Sequence, residues 1–168
     1  MPGDTYEKFS NSISDLISSG QHNRIQYNNL SILPNAEMAQ KDYLEKYQLK
    51  TIEAPIVNMH GSLDETPEDG IYETQKLVIS TKDMPLNDWI KTRIYASTSE
   101  FLYFNKILQI PFLLVYSQHP NISFKSIFEK FIEINDEVNF PTISYINNLF
   151  KEHAISISKG KPEFIYSE

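Results

Sequence analysis

The sequence has no cysteine in 168 residues. That absence excludes a disulfide framework, a thiolate zinc site, a cysteine nucleophile and a Cys-ligated iron–sulfur cluster held by these residues. Positive charge is also scarce: 15 Lys and Arg face 22 Asp and Glu, a formal net charge of −7, with no run of four basic residues. An acidic chain without a basic patch does not read as a binder of nucleic acid or of an anionic membrane. No uninterrupted apolar stretch approaches the roughly 18–20 residues that span a bilayer. The start, Met1-Pro2-Gly3-Asp4, lacks the basic-then-apolar pattern of a signal peptide. A cytoplasmic location is expected. Glycine-rich phosphate loops and a G-x-S-x-G elbow are missing too, which removes the usual nucleotide cradle and serine nucleophile.

What is present is apolar and aromatic: 40% hydrophobic residues, with ten Tyr, ten Phe and one Trp. That composition supports a packed core in a chain of one-domain length. Asp4 or Thr5 caps a predicted helix over 5–19, with Phe9, Ile13, Leu16 and Ile17 on one face and Gly20 as its stop. Its many serines read as an ordinary polar face. Residues 24–33 (RIQYNNLSIL) read as a strand that turns at Pro34-Asn35 into a helix over 36–47, burying Met38, Leu44 and Tyr47. A second strand over 50–58 is interrupted by Pro55 and belongs at an edge. An acidic loop follows over 59–70, then a third strand over 72–81 centred on Leu77, Val78 and Ile79.

Beyond Asp83-Met84-Pro85 the pattern becomes helical throughout. A broad stripe runs from Trp89 to Leu108, with Pro111 expected to break it before a short helix over 112–118. Ser123 caps a helix carrying Phe124, Ile127, Phe128, Phe131 and Ile132, and Pro141 opens a last helix to about Ser158. The tail over 160–168 is expected to fray. The fold class is therefore α/β to α+β, with a change of domain near Met84 that divides 1–83 from 84–168. The strand–turn–helix at 24–38 is one βα unit, a piece of a larger architecture.

Chemistry-bearing residues are few. His60 with Asp64 and Glu65 has the residue types for a metal-dependent hydrolase, although a solvated acidic turn explains the same stretch. Glu152-His153 reads as a polar helix face. Asn28, Asn29 and Asn35 either satisfy local backbone groups or hydrogen-bond a ligand where strand meets loop, and the local role is favoured. The aromatic stripes read as core, with a cavity under a helical layer as the variant.

These residues carry a family resemblance. Met1–Glu7 (MPGDTYE) resembles the PGET-x-E segment after the fifth barrel strand of radical S-adenosylmethionine enzymes. Asn29–Met38 (NLSILPNAEM) is similar to their sixth-strand pattern, N-x-L-x-P-x-x-G-T-x-M. DYLEKY, VISTKDMPLNDW and the aromatic helices resemble the C-terminal half of the cobalamin-binding members. The resemblance implies a late arc of a TIM-type (β/α) barrel, two to three strands, followed by an all-α helical extension. It implies a parent with S-adenosylmethionine, an iron–sulfur cluster on a C-x-x-x-C-x-x-C loop, and cobalamin, none of them bound by this chain alone. Pro2, Gly3 and Asp4 match the segment beside S-adenosylmethionine; Ile32, Leu33 and Asn35 match the strand end near adenine. Asp4 stands where Glu is usual, and Asn35-Ala36 where Gly-Thr is common. The expectation is a C-terminal piece, inert in isolation, whose partners are the missing barrel half and cobalamin domain of the same parent. Its exposed sheet edge predicts self-association. A stand-alone acidic α+β interaction module, with its edges covered, is the rival.

Overall fold

The computed structural model describes residues 2–56, 73–119 and 121–163. Thr5 caps the first helix, α1 (Tyr6–Ser18), its Oγ1 accepting from Lys8 N–H at 3.1 Å. Gly20 takes φ +95 just past the helix end, where only glycine is at ease. The buried face of α1 is Ser10, Ile13, Ser14 and Ile17. Two serines sit inside because a close helix crossing needs small residues, so the serines are not all a polar face. Tyr95 uses the gap, donating its hydroxyl to the Ser10 carbonyl at 3.3 Å.

Three antiparallel strands form the sheet: β1 (Ser31–Ile32), β2 (Lys50–Pro55) and β3 (Thr74–Ser80), with β3 central. Neighbouring strands of a (β/α) barrel run parallel, so this sheet does not confirm a barrel arc. The coarser expectation of a mixed α/β chain holds. The predicted strand over 24–33 shortens to two residues, Ser31 and Ile32, opposite Leu77 and Lys76, with the Leu30 carbonyl just before them accepting from Val78 N–H at 2.8 Å. Pro55 lies on edge strand β2, as its missing N–H requires. The helix predicted over 36–47 splits into a 3₁₀ turn (Glu37–Ala39) and α2 (Lys41–Tyr47), with Gln40 extended between them. None of its residues is fully buried.

The helical part comprises α3 (Leu86–Ser99), a π-helical turn (Glu100–Phe104), α4 (Gln109–Gln118), α5 (Phe124–Ile132) and α6 (Pro141–Ile157). The long run breaks at Lys106, whose φ of +66 turns the chain, and not at Pro111, which fits the first turn of α4. Ser123 caps α5 by accepting from Ser126 N–H at 3.1 Å, and Pro141 opens α6. Ile110, Leu114 and Val115 leave α4 with an exposed apolar flank.

Two apolar clusters hold the fold. One packs Ile13 and Ile17 of α1 against Tyr95, Tyr103, Phe124 and Phe128; the other joins Ala54 and Leu77 of the sheet to Trp89 and Ile157. Each draws residues from both sides of Met84. Burial pushes the hydroxyl pKa of Tyr27 and Tyr103 up to about 12, and raises Tyr6 and Tyr95 as well. The neutral phenol is then retained in the folded chain while the unfolded chain ionises near pH 10. Unfolded molecules bind fewer protons there, so stability falls as pH rises above 10 and is untouched below it. Melting temperatures measured from pH 7 to 11.5 are expected to stay level to about pH 9.5 and then drop steeply; a level profile throughout would remove the tyrosine assignment.

Candidate functional site

The stretch before β1 explains the site. From Arg24 to Asn28 the chain roughly alternates: Ile25 and Tyr27 pack against the aromatic cluster, while Arg24, Gln26 and Asn28 face a cavity of about 610 Å³ that Tyr27 and Asn29 also line. Tyr27 is fixed by a 3.0 Å hydrogen bond between its hydroxyl and Ser99 Oγ, and by ring contacts with Phe9 and Phe104. This apolar anchoring holds the polar members of the stretch over the cavity without a full strand ladder.

The other walls come from helices. Arg93 and Ser97, one turn apart on α3, face it, and the π-helical turn adds Glu100 and Phe101. A π turn closes its bonds five residues apart, here Asn105 N–H to the Glu100 carbonyl at 2.8 Å. The wider turn pushes these side chains off the α3 stripe. Phe150 and His153 enter from α6, with Phe150 edge-on to Phe101 at 5.8 Å between ring centres. Glu163, beyond α6, closes one side by accepting from Asn29 Nδ2 and, at 2.7 Å, from Gln75 Nε2.

The electrostatics are uneven. Burial lowers the Arg93 pKa, opposed through space by Glu163 and Glu100. Its Nε is shut off without a hydrogen-bond partner. Burial is also the main cause that lowers His153, helped by the Arg93 charge and opposed by a hydrogen bond to the Pro162 carbonyl. His153 is therefore neutral near pH 7, with Nε2 unpartnered. Arg24 pairs with Glu100 at 3.8 Å. The arrangement suits binding of a polar small molecule.

The sequence singled out some of this. Asn28 and Asn29 line the cavity, and Asn29 reaches Glu163 across the fold instead of its local backbone. Glu152-His153 is not simply a polar face, because His153 points inward while Glu152 is exposed. Of the tail expected to fray, residues 160–163 are described, with Glu163 held by Asn29 and Gln75; residues 164–168 lie outside the described residues. Arg93 and Glu163 carried no sequence signal; a single arginine amid the α3 stripe was the one available hint. His60, Asp64 and Glu65 lie outside the described residues.

The residues matched to the S-adenosylmethionine segments lie elsewhere. Gly3 donates its N–H to Asp83 Oδ2 at 3.0 Å and accepts from Lys8 Nζ at 2.8 Å, placing Pro2, Gly3 and Asp4 beyond the C-terminal end of β3. Ile32 is buried opposite Lys76, so the antiparallel register carries Leu33 and Asn35 towards the other end of β3. Leu33 is 68% exposed and Asn35 is exposed. From Lys76 to Ser80 alone β3 spans roughly 13 Å, so the two groups form no common cradle. Among the described residues no set of three or more His, Asp or Glu could hold a metal, and there is no cysteine. Without cysteine, these residues supply no thiolates for a Cys-ligated iron–sulfur cluster.

No family model matches the chain. Among characterised proteins it is similar to the cobalamin-dependent radical SAM methyltransferase TokK of Streptomyces tokunonensis, 29% identical over 103 residues. The match covers 61% of this chain and 14% of that protein. The chain thus bears a distant sequence likeness to a much longer enzyme, with the radical S-adenosylmethionine and cobalamin association entering at that level.

Proposed function

We propose that this chain is a C-terminal segment of a cobalamin-type radical S-adenosylmethionine enzyme, which shapes the substrate side and leaves the radical chemistry to the rest of its parent. The observation that carries this reading is the 103-residue similarity to a methyltransferase of that class. In this reading S-adenosylmethionine, cluster and cobalamin are held by the parent's other half, including its barrel and cobalamin domain. Pro2, Gly3 and Asp4 on one side, and Ile32, Leu33 and Asn35 on the other, supply two separate strips to the adenosine side. Leu33 and Asn35 are suited to this by their exposure. The helices α3 to α6 form the cap over the substrate.

Anaerobic reconstitution of the chain with iron, sulfide and S-adenosylmethionine is expected to give no cluster absorbance and no 5′-deoxyadenosine. Fusing it to an upstream polypeptide of the same reading frame that carries C-x-x-x-C-x-x-C should restore both. Either product from the chain alone, or neither from the fusion, overturns the reading.

A further inference from the structure

In the cavity wall, Arg93 Nε has no hydrogen-bond partner among the described residues. Glu163 spends its two carboxylate oxygens on Asn29 and Gln75, and Glu100 is paired with Arg24. Arg93 feels both through space, and none of the described residues accepts from its Nε. An arginine fork presents five donors matched to the two oxygens of a carboxylate. A half-buried guanidinium on a cavity wall, with its Nε covered and unpartnered, favours a partner from outside the described residues.

We propose that the cavity is a binding site for a small organic carboxylate, with the Arg93 guanidinium as its anchor. A volume of about 610 Å³ lies within the usual range for small-molecule sites. The edge-on Phe101–Phe150 pair gives the ligand's body an apolar wall. Neutral His153 and the Asn28 amide stand on the same cavity for a hydroxyl or amide of the ligand. Charge selects the class. A dianionic phosphate would meet Glu100 and Glu163 with twice the charge of a carboxylate, whose two oxygens match the Arg93 fork. The inference rests on the cavity alone and does not require the kinship proposed above.

The test is binding to the 168-residue chain, followed through the Arg93 Nε–Hε resonance. Phenylacetate and benzoate are the probes, with phenylacetamide, benzamide and inorganic phosphate as controls. Each carboxylate is expected to bind at least about tenfold more tightly than its amide and to shift the Arg93 resonance, with phosphate weaker than both. Arg93→Met should melt at a higher temperature, because a guanidinium with its Nε covered and unpartnered is gone, and should lose the preference for carboxylate. Arg93→Lys should keep the preference in weakened form, since it keeps the charge without the fork. Equal binding of acid and amide, no binding of any probe, phosphate as the best ligand, or a preference surviving in Arg93→Met each overturns the proposal. A fall in melting temperature or loss of folding in Arg93→Met does so too, because it would make the charge a structural one.

Discussion

Phe128→Ala is expected to lower stability by about 3–5 kcal/mol, the usual cost of emptying a large aromatic site that cannot collapse. Phe128 has no exposed surface, and its ring meets Tyr95, Phe112 and Tyr103 edge-on at 5.6, 5.5 and 6.3 Å between centres. Those partners come from α3, α4 and the π-helical turn, each stiffened by its own ring contacts, so little movement into the void is open to them. Edge-to-face contacts add about 0.5–1.5 kcal/mol per pair beyond burial. For a chain of this length each kcal/mol moves the melting temperature by roughly 2–4 °C. Calorimetry should therefore show a loss of roughly 10 °C. A shift under about 3 °C would mean that the cluster repacks and is not the fold's main support.

Gly160→Val should cost nearly as much for a different reason. Gly160 ends α6 with φ +85, its N–H on the Ile157 carbonyl at 2.9 Å and the next N–H on Ser156 at 3.1 Å. A left-handed residue with a side chain costs about 1–2 kcal/mol. A Cβ here would also stand 2.7 Å from the Glu53 carbonyl oxygen and 3.4 Å from Ile52 Cγ1. Overpacking of that kind adds about 1–3 kcal/mol. The sum, roughly 2–5 kcal/mol, should appear as a lower urea midpoint with faster amide exchange over β2. Gly20→Ala is the control: φ is +95 but nothing lies within 4 Å, so only the conformational cost remains. Equal losses in the two variants would show that contact with β2 contributes nothing.

Helices α1, α5 and α6 were legible because each carries a local signal: Thr5 and Ser123 as caps, Gly20 as a stop, Pro141 at a first turn. β3 was legible for its run of Leu77, Val78 and Ile79. The errors fall where a non-local partner decides. Residues 24–28 alternate as a strand should, yet their alternation serves a core on one side and a cavity on the other, with no ladder beside them. The direction of pairing cannot be read from a strand's own residues, so a βα reading did not reveal an antiparallel sheet. Of the site, the amides at 28 and 29 stood out by sitting within an apolar run. Arg93 and Glu163 did not, and His153 read as part of a polar helix face, because distant segments of the chain meet there and no spacing records it.

The pairing of α1 with α5 has a further consequence for how the chain is made. Ile13 and Ile17 wait for Phe124 and Phe128, and the sheet waits for β3 to join its two edges. At roughly 5–20 residues per second of synthesis, the first helix spends several seconds outside the ribosome before its partners emerge. During that interval its apolar stripe is open to chaperones. Nascent chains halted before α5 should be digested readily by protease, and resistance should arrive abruptly once α5 has cleared the exit.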